Sequence, residues 1–129
     1  MSDSPENLLL FLLESGGFAG RAVLAGCERE IAGDGALSAA MIGRFSDIIE
    51  DEPWRYRLIH REAGMIVLYL EAEAHGLRGT GMGCFFDDVT HEIPGLKGDK
   101  WQDIYHFAMG KPVEDKRLAT KPPYHHLKK

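Results

Sequence analysis

The chain has 129 residues, of which 44% are hydrophobic and 27% are charged. This is the composition of one ordinary globular domain with enough apolar side chains for a core, so we expect residues 1–129 to form a single domain. The formal net charge of -5 argues against nucleic acid or a membrane surface as a partner, because both require clustered cations. A neutral or small organic substrate fits this charge better.

Cellular location and redox state are predicted from a few features. The longest uninterrupted apolar run, residues 8–13, is too short to cross a bilayer. The N-terminus is acidic, unlike the basic start of a secretory signal, and together these features predict a cytoplasmic protein. Cys27 and Cys84 lack CxxC spacing, and in a reducing compartment we expect both to be free thiols.

Helical patterns dominate the first half of the chain. Ser4-Pro5-Glu6 is a good helix start, and it predicts a short buried helix over residues 8–13. A second helix is predicted from Phe18 to Ile31. Apolar residues at helical spacing predict a third helix, which ends before Pro53; they are Leu37, Met41, Ile42, Phe45, Ile48 and Ile49.

The longest periodic segment runs from about Tyr56 to His75 and predicts a central helix that Gly76 ends. After Gly79 the pattern becomes extended, glycine-rich and typical of a strand. Asp87-Asp88 is then expected to cap a short helix through Ile93.

Residues 101–109 alternate and predict a second strand with both faces partly covered. Because a short helix separates the two strands, the parallel pairing of a βαβ crossover is one arrangement open to them. The fold class is therefore α+β, or α/β with few strands. The polar tail, residues 111–129, contains three prolines and is expected to run over a surface or a neighbouring subunit.

The strongest local signal for a binding site is Gly79-Thr80-Gly81-Met82-Gly83. Glycines allow a flat ligand or a phosphate to lie against backbone N–H groups. The segment matches neither the Walker pattern nor GxGxxG. A bulged or tightly packed strand start explains the same glycines equally well, so the residues alone leave both interpretations open.

Other candidate groups favour structural roles. An apolar setting raises the pKa of a thiol, so Cys84 beside Phe85 is expected to pack rather than react. Capping is preferred over metal binding for a short acidic cluster, Asp87, Asp88, His91 and Glu92. No metal site is predicted from the imidazoles of His106, His125 and His126. A solvated surface is preferred over phosphate binding for the cations of the tail, Lys111, Lys116, Arg117 and Lys121.

Two stretches resemble nitroreductase-like proteins, most closely the branch that includes azoline dehydrogenases. The first is the helix-to-strand segment from Trp54 to Asp88, which contains the run GMGCFFDD at residues 81–88. The second runs from Tyr105 to Leu118, and the likeness ends at Pro122-Pro123-Tyr124. It covers most of the chain from about Cys27 onward. The lysine-tyrosine pair typical of azoline dehydrogenation is not evident, so that reaction is not predicted.

The resemblance implies an α+β fold that dimerises and holds FMN in the subunit interface for two-electron transfer. It places the flavin, near its reactive nitrogen, against the backbone of Gly81, Met82, Gly83, Cys84 and Phe85. It implies a phosphate contact from Arg117, with Lys121 as a second candidate. It does not identify NAD(P)H as the electron donor.

The sequence also departs from the family. Such proteins usually begin with an Arg-rich segment that holds the FMN phosphate, followed by half of the sheet, and this chain has no counterpart. The leading hypothesis is an FMN-dependent oxidoreductase whose site is completed by a second copy, as a homodimer, or by a partner chain. The alternatives are a flavin-free accessory module, and a half-domain that folds only on meeting a separately encoded half.

Overall fold

The computed structural model describes residues 11–55 and 67–127. Its three strands form one antiparallel sheet: β1 (Leu37–Arg44), β2 (Arg78–Met82) and β3 (Trp101–Gly110), with β3 in the centre. Phe107 of β3 faces Ala39 of β1 on one side and Gly81 of β2 on the other. Both pairs are antiparallel, so the parallel crossover considered from the sequence is wrong.

Short helices surround the sheet. They are α1 (Ala19–Ala25), α2 (Ile31–Asp34), α3 (Phe45–Asp51), α4 (Val67–Ala74) and α5 (Asp87–Glu92), followed by a 3-10 turn at His125–Leu127. Helix α4 packs beside β2, while α1 and α2 pack together and α5 contacts both α1 and β3. Among the described residues, no helix is long and apolar enough to cross a membrane.

The predicted third helix is wrong over its first part. Residues 37–44 form β1 and only Phe45–Asp51 is helical. The apolar residues fit both periods, but β1 pairs along its full length with β3, with a register shift between Met41 and Ile42. These backbone hydrogen bonds, made with a segment about sixty residues away, outweigh a weak local helix preference.

The predicted first and second helices also need correction. Residues 11–18 are not helical, and the rest of the first predicted helix lies outside the described residues. The second helix stops at Ala25 because Cys27 and Glu28 adopt left-handed backbone angles, with φ of 61° and 58°. Helix α2 begins only at Ile31. The predicted central helix is present as α4, and its residues 56–66 lie outside the described part.

The sequence prediction is confirmed for β2, α5 and β3. The capping prediction at α5 is wrong in its detail, because Phe86 occupies the N-cap and no side chain caps this end by a hydrogen bond. Asp87 and Asp88 instead lie in the first turn of α5, where negative charge favours the positive end of the helix.

The core is small and built mainly of small side chains. Ala32, Met82 and Ala108 form its buried cluster, with Ala22 packed against them, and Phe107 is fully buried. Many large apolar side chains stay exposed instead, including Leu12, Val67, Leu70, Val113 and Leu118. An apolar surface of this extent is typical of a protein that packs against another chain.

Candidate functional site

The glycines of β2 make room for aromatic rings of β3. A Cβ atom at Gly81 would lie 2.7 Å from the Cε1 and Cζ atoms of Tyr105, closer than real side chains approach. At Gly79, the ring of Phe107 occupies the corresponding space. The alternative drawn from the sequence, a tightly packed strand start, therefore accounts for these two glycines.

Tyr69 of α4 contacts the outer edge of β2 at Gly81. The backbone N–H of Gly81 donates a hydrogen bond to the Tyr69 hydroxyl at 2.7 Å, and the Tyr69 ring meets the Phe107 ring edge to face, with centroids 4.9 Å apart. Burial raises the pKa of Tyr105, and the nearby Tyr69 adds to this effect. The Gly81 amide is thus already engaged by the protein.

The loop after β2 is more open. A Cβ at Gly83 would come no closer than 3.9 Å to Tyr105, and both Gly83 and Cys84 are exposed. The backbone N–H groups of these two residues donate no hydrogen bond to any residue in the described ranges. The loop end is fixed, because Phe86 N–H donates to the Ala25 carbonyl at 2.8 Å. We call Gly83–Phe86 the open loop.

A disulfide joins this loop to the turn after α1. Cys84 is bonded to Cys27, with the Cα atoms 5.7 Å apart, and no free cysteine remains. The expectation of two free thiols is therefore wrong. The cysteines lie 57 residues apart in sequence, so only the packing of α1 beside the loop brings them within bonding distance.

A buried polar network lies beneath the open loop. His106 Nε2 lies 2.5 Å from Asp103 Oδ2 and 3.3 Å from Thr90 Oγ1, and all three residues are buried. Because a carboxylate can only accept, the Nε2 proton is donated to Asp103. The Phe85 ring stacks on the His106 imidazole at 4.9 Å, so the network supports the open loop from below.

The remaining predicted contacts, in the tail, lie apart from the loop. The Arg117 guanidinium is bound by Asp115 at 2.5 to 3.0 Å, and this hydrogen bonding holds the pKa of the Asp115 carboxyl below its ordinary range. Lys121 is exposed. Within residues 11–55 and 67–127, no hydrogen bond or ion pair joins Arg117 or Lys121 to Gly81–Phe85.

Two open clefts lie elsewhere on the surface. The first, of about 420 Å³, lies between α2 and the ends of β2 and β3, with Arg78 and Lys111 as its cations. The second, of about 520 Å³, is lined by acidic residues of α5 and the following loop, among them Asp87 and Glu92. The described part of the chain brings no three His, Cys, Asp or Glu side chains together as a metal site.

Several site residues were not identified from the sequence. Tyr69, Thr90 and Asp103 have no distinguishing motif, and His106 was considered only as a metal ligand. The aromatic residues of β3 were an available signal, because Tyr105 and Phe107 lie two residues apart on one face. Rings that face a glycine-rich segment suggest close packing between the two strands.

Three solved structures are similar to this chain. A proposed nitroreductase from Anabaena variabilis aligns over 74% of this chain, with 27% identity and a TM-score of 0.65. A proposed NAD(P)H:FMN oxidoreductase from Staphylococcus epidermidis aligns over 90% of it, with 14% identity and a TM-score of 0.55. A proposed nitroreductase from Exiguobacterium sibiricum, in complex with FMN, aligns over 92%, with 16% identity and a TM-score of 0.54.

The matches differ in how much of each relative they cover. This chain spans 20% of the Anabaena protein, 71% of the Staphylococcus protein and 74% of the Exiguobacterium protein. No protein-family model and no curated protein matches the sequence. The agreement with all three structures shows that this chain has a nitroreductase-like α+β fold.

Proposed function

We propose that the chain is part of an FMN-dependent oxidoreductase of the nitroreductase-like type, with a cofactor site that a second copy completes. The observation that carries the proposal is the open loop, which presents the exposed backbone of Gly83 and Cys84 at the end of a rigidly packed strand. Backbone N–H donors without a described partner, beside a glycine, are suited to hold a flat ring that carries hydrogen-bond acceptors at its edge.

The residues fit a flavin ring at one part of the predicted stretch only. At Gly81 the backbone N–H is bonded to the Tyr69 hydroxyl and the Tyr105 ring fills the space above the glycine. Met82 is buried in the core. At Gly83 a Cβ atom would make only an ordinary contact, 3.9 Å from Tyr105. We therefore assign ring contact to Gly83, Cys84 and Phe85, with Gly81 and Met82 as the support beneath them.

The FMN phosphate requires cations. Lys121 has no ion-pair partner among the residues that the structure describes, whereas Arg117 is already neutralised by Asp115. Lys121 is thus more available to contact the phosphate. Arg117 contributes when the phosphate displaces Asp115 or shares the Arg117 guanidinium with it. When bound, FMN supplies two-electron transfer, and the protein supplies its position and surroundings.

A second copy is the proposed source of the remaining contacts. The exposed apolar side chains of α4, Val67 and Leu70, lie on the helix that holds the edge of β2. Covering them would bring another chain close to the open loop. A small organic substrate and a cytoplasmic location stay predictions from composition and sequence pattern.

One observation favours a second candidate function, a flavin-free binding module. The rings of Tyr105 and Phe107 fill the space above Gly81 and Gly79, and the Gly81 amide is taken by Tyr69. A relative that had lost its cofactor could fill its former pocket with such contacts.

An FMN titration of the purified chain, followed by visible absorption and flavin fluorescence, distinguishes the two functions. We expect saturable binding and, by light scattering, the mass of a dimer. Gly83→Val should weaken FMN binding by about tenfold or more, a loss of about 1.4 kcal/mol, because its side chain occupies the ring position. Gly17→Val is the matched control, since a Cβ atom at Gly17 meets nothing within 4 Å and one at Gly83 meets Tyr105 only at 3.9 Å.

Two results would contradict the proposal. A colourless protein that binds no FMN, although it is folded and dimeric, would favour the binding module. Equal FMN affinity in Gly83→Val and Gly17→Val would remove the open loop from the site. Lys121→Ala and the exposed-lysine control Lys97→Ala test the phosphate contact in the same titration, and only the first should weaken binding.

A further inference from the structure

The disulfide between Cys27 and Cys84 is placed where small molecules can reach it. Cys84 is exposed and Cys27 is half-buried. Thiol–disulfide exchange requires an attacking thiolate to reach one sulfur atom, and disulfides accessible in this way are the labile ones. Cys84 is the more exposed residue of the pair, so we expect a thiolate to attack its sulfur and Cys27 to be the leaving group.

The disulfide also links the open loop covalently to the turn after α1. Apart from it, the described contacts across this junction include one backbone hydrogen bond, from Phe86 N–H to the Ala25 carbonyl at 2.8 Å. On the α1 side, Cys27 and Glu28 both hold left-handed backbone angles, which residues with a Cβ atom rarely adopt. Opening the disulfide would let this turn relax toward ordinary angles.

We propose that Cys27–Cys84 is a reversible exchange site for low-molecular-weight thiols, and that its reduction releases the open loop from α1. In the first step a thiolate RS⁻ attacks Cys84 Sγ, which forms a mixed disulfide and expels Cys27 as a thiolate that takes up a proton. A second thiolate attacks the RS sulfur of the mixed disulfide, which forms RSSR and leaves Cys84 as a thiol. Two thiols are oxidised and one cystine is reduced.

The exchange is tested on the intact chain in mixtures of reduced and oxidised glutathione, without denaturant. After acid quenching and alkylation, mass spectrometry counts the free thiols. We expect the protein to pass from no free thiol to two as the proportion of reduced glutathione rises. In Cys27→Ser, the remaining Cys84 should form a glutathione adduct about tenfold faster than Cys27 does in Cys84→Ser, because it is more accessible.

Release of the open loop has a separate readout in amide hydrogen exchange. Reduction should speed exchange of the Phe86 amide by about tenfold or more, because local opening becomes easier. The Leu77 amide, which donates to the Ala72 carbonyl at 2.8 Å, is the internal control and should not change. Neither measurement requires bound flavin.

Three outcomes would overturn the inference. A disulfide that opens only after denaturant is added would be a structural bond. Two thiols that stay free in excess oxidised glutathione would show that no bond forms in the native protein. Reduction without faster exchange at Phe86 would show that the disulfide does not hold the loop.

Discussion

Replacing Gly81 with alanine tests whether β2 is glycine-rich because of the rings of β3. The new Cβ atom would lie 2.7 Å from the Cε1 and Cζ atoms of Tyr105. The Tyr105 ring is rigid and half-buried, and it extends from the central strand over Gly81 of β2, so it must move as a unit or push β2 away. Overpacking of this kind typically costs about 1 to 3 kcal/mol.

The measurement is urea unfolding of the oxidised protein, followed by far-ultraviolet circular dichroism. Gly81→Ala should lower the free energy of unfolding by about 1 to 3 kcal/mol. Gly83→Ala is the matched control, since its Cβ would lie 3.9 Å from the nearest atom of Tyr105, an ordinary contact. At that position alanine should be neutral, or stabilising by about 0.4 to 1 kcal/mol through a less flexible unfolded chain.

A double-mutant cycle assigns the cost to the ring. If contact with Tyr105 causes the loss, Gly81→Ala should cost much less in a Tyr105→Ala background, with a coupling energy of about 0.5 to 3 kcal/mol. Equal costs in both backgrounds, or a Gly81→Ala protein as stable as Gly83→Ala, would refute the packing explanation. The glycine would then be explained by ligand approach alone.

Two further predictions concern titratable groups. Burial raises the pKa of Tyr105; the stability it contributes should be present below about pH 10 and lost as pH rises through the folded pKa. Tyr105→Phe should therefore reduce the alkaline loss of stability and remove one tyrosine step at high pH from an absorbance titration; an unchanged titration would contradict this. Asp103→Ala should destabilise the fold by about 1 to 3 kcal/mol, since it leaves the buried His106 without its acceptor. Thermal unfolding of Asp103→Ala, compared with the unsubstituted protein and with Asp103→Asn, measures this loss. A change below about 0.5 kcal/mol for Asp103→Ala would contradict the prediction.

An element of this fold was predictable from the sequence when the interactions that produce it are local along the chain. The strand β3 was predictable because its residues alternate and include aromatic and β-branched side chains. The helix α5 was predictable because Asp87 and Asp88 favour a helix start and Pro94-Gly95 ends it. In both cases the information lies within about ten neighbouring residues.

The strand β1 shows the opposite case. Its residues satisfy a helical period as well as an extended one, and the deciding partner is β3, with Leu37 opposite Met109. No local pattern records such a distant pairing. The antiparallel direction of β2 against β3 was undetermined for the same reason.

The candidate site also combines features that local sequence determines with features that depend on tertiary packing. By itself, the sequence determined the α+β class, the glycine-rich stretch and its resemblance to nitroreductase-like proteins, because these depend on residue type and local order. Only the tertiary structure decided that Tyr69 binds the Gly81 amide and that the Tyr105 ring fills the space beside Gly81, while Gly83 stays exposed. It alone joined Cys27 to Cys84, since a bond across 57 residues depends on how α1 packs beside the loop.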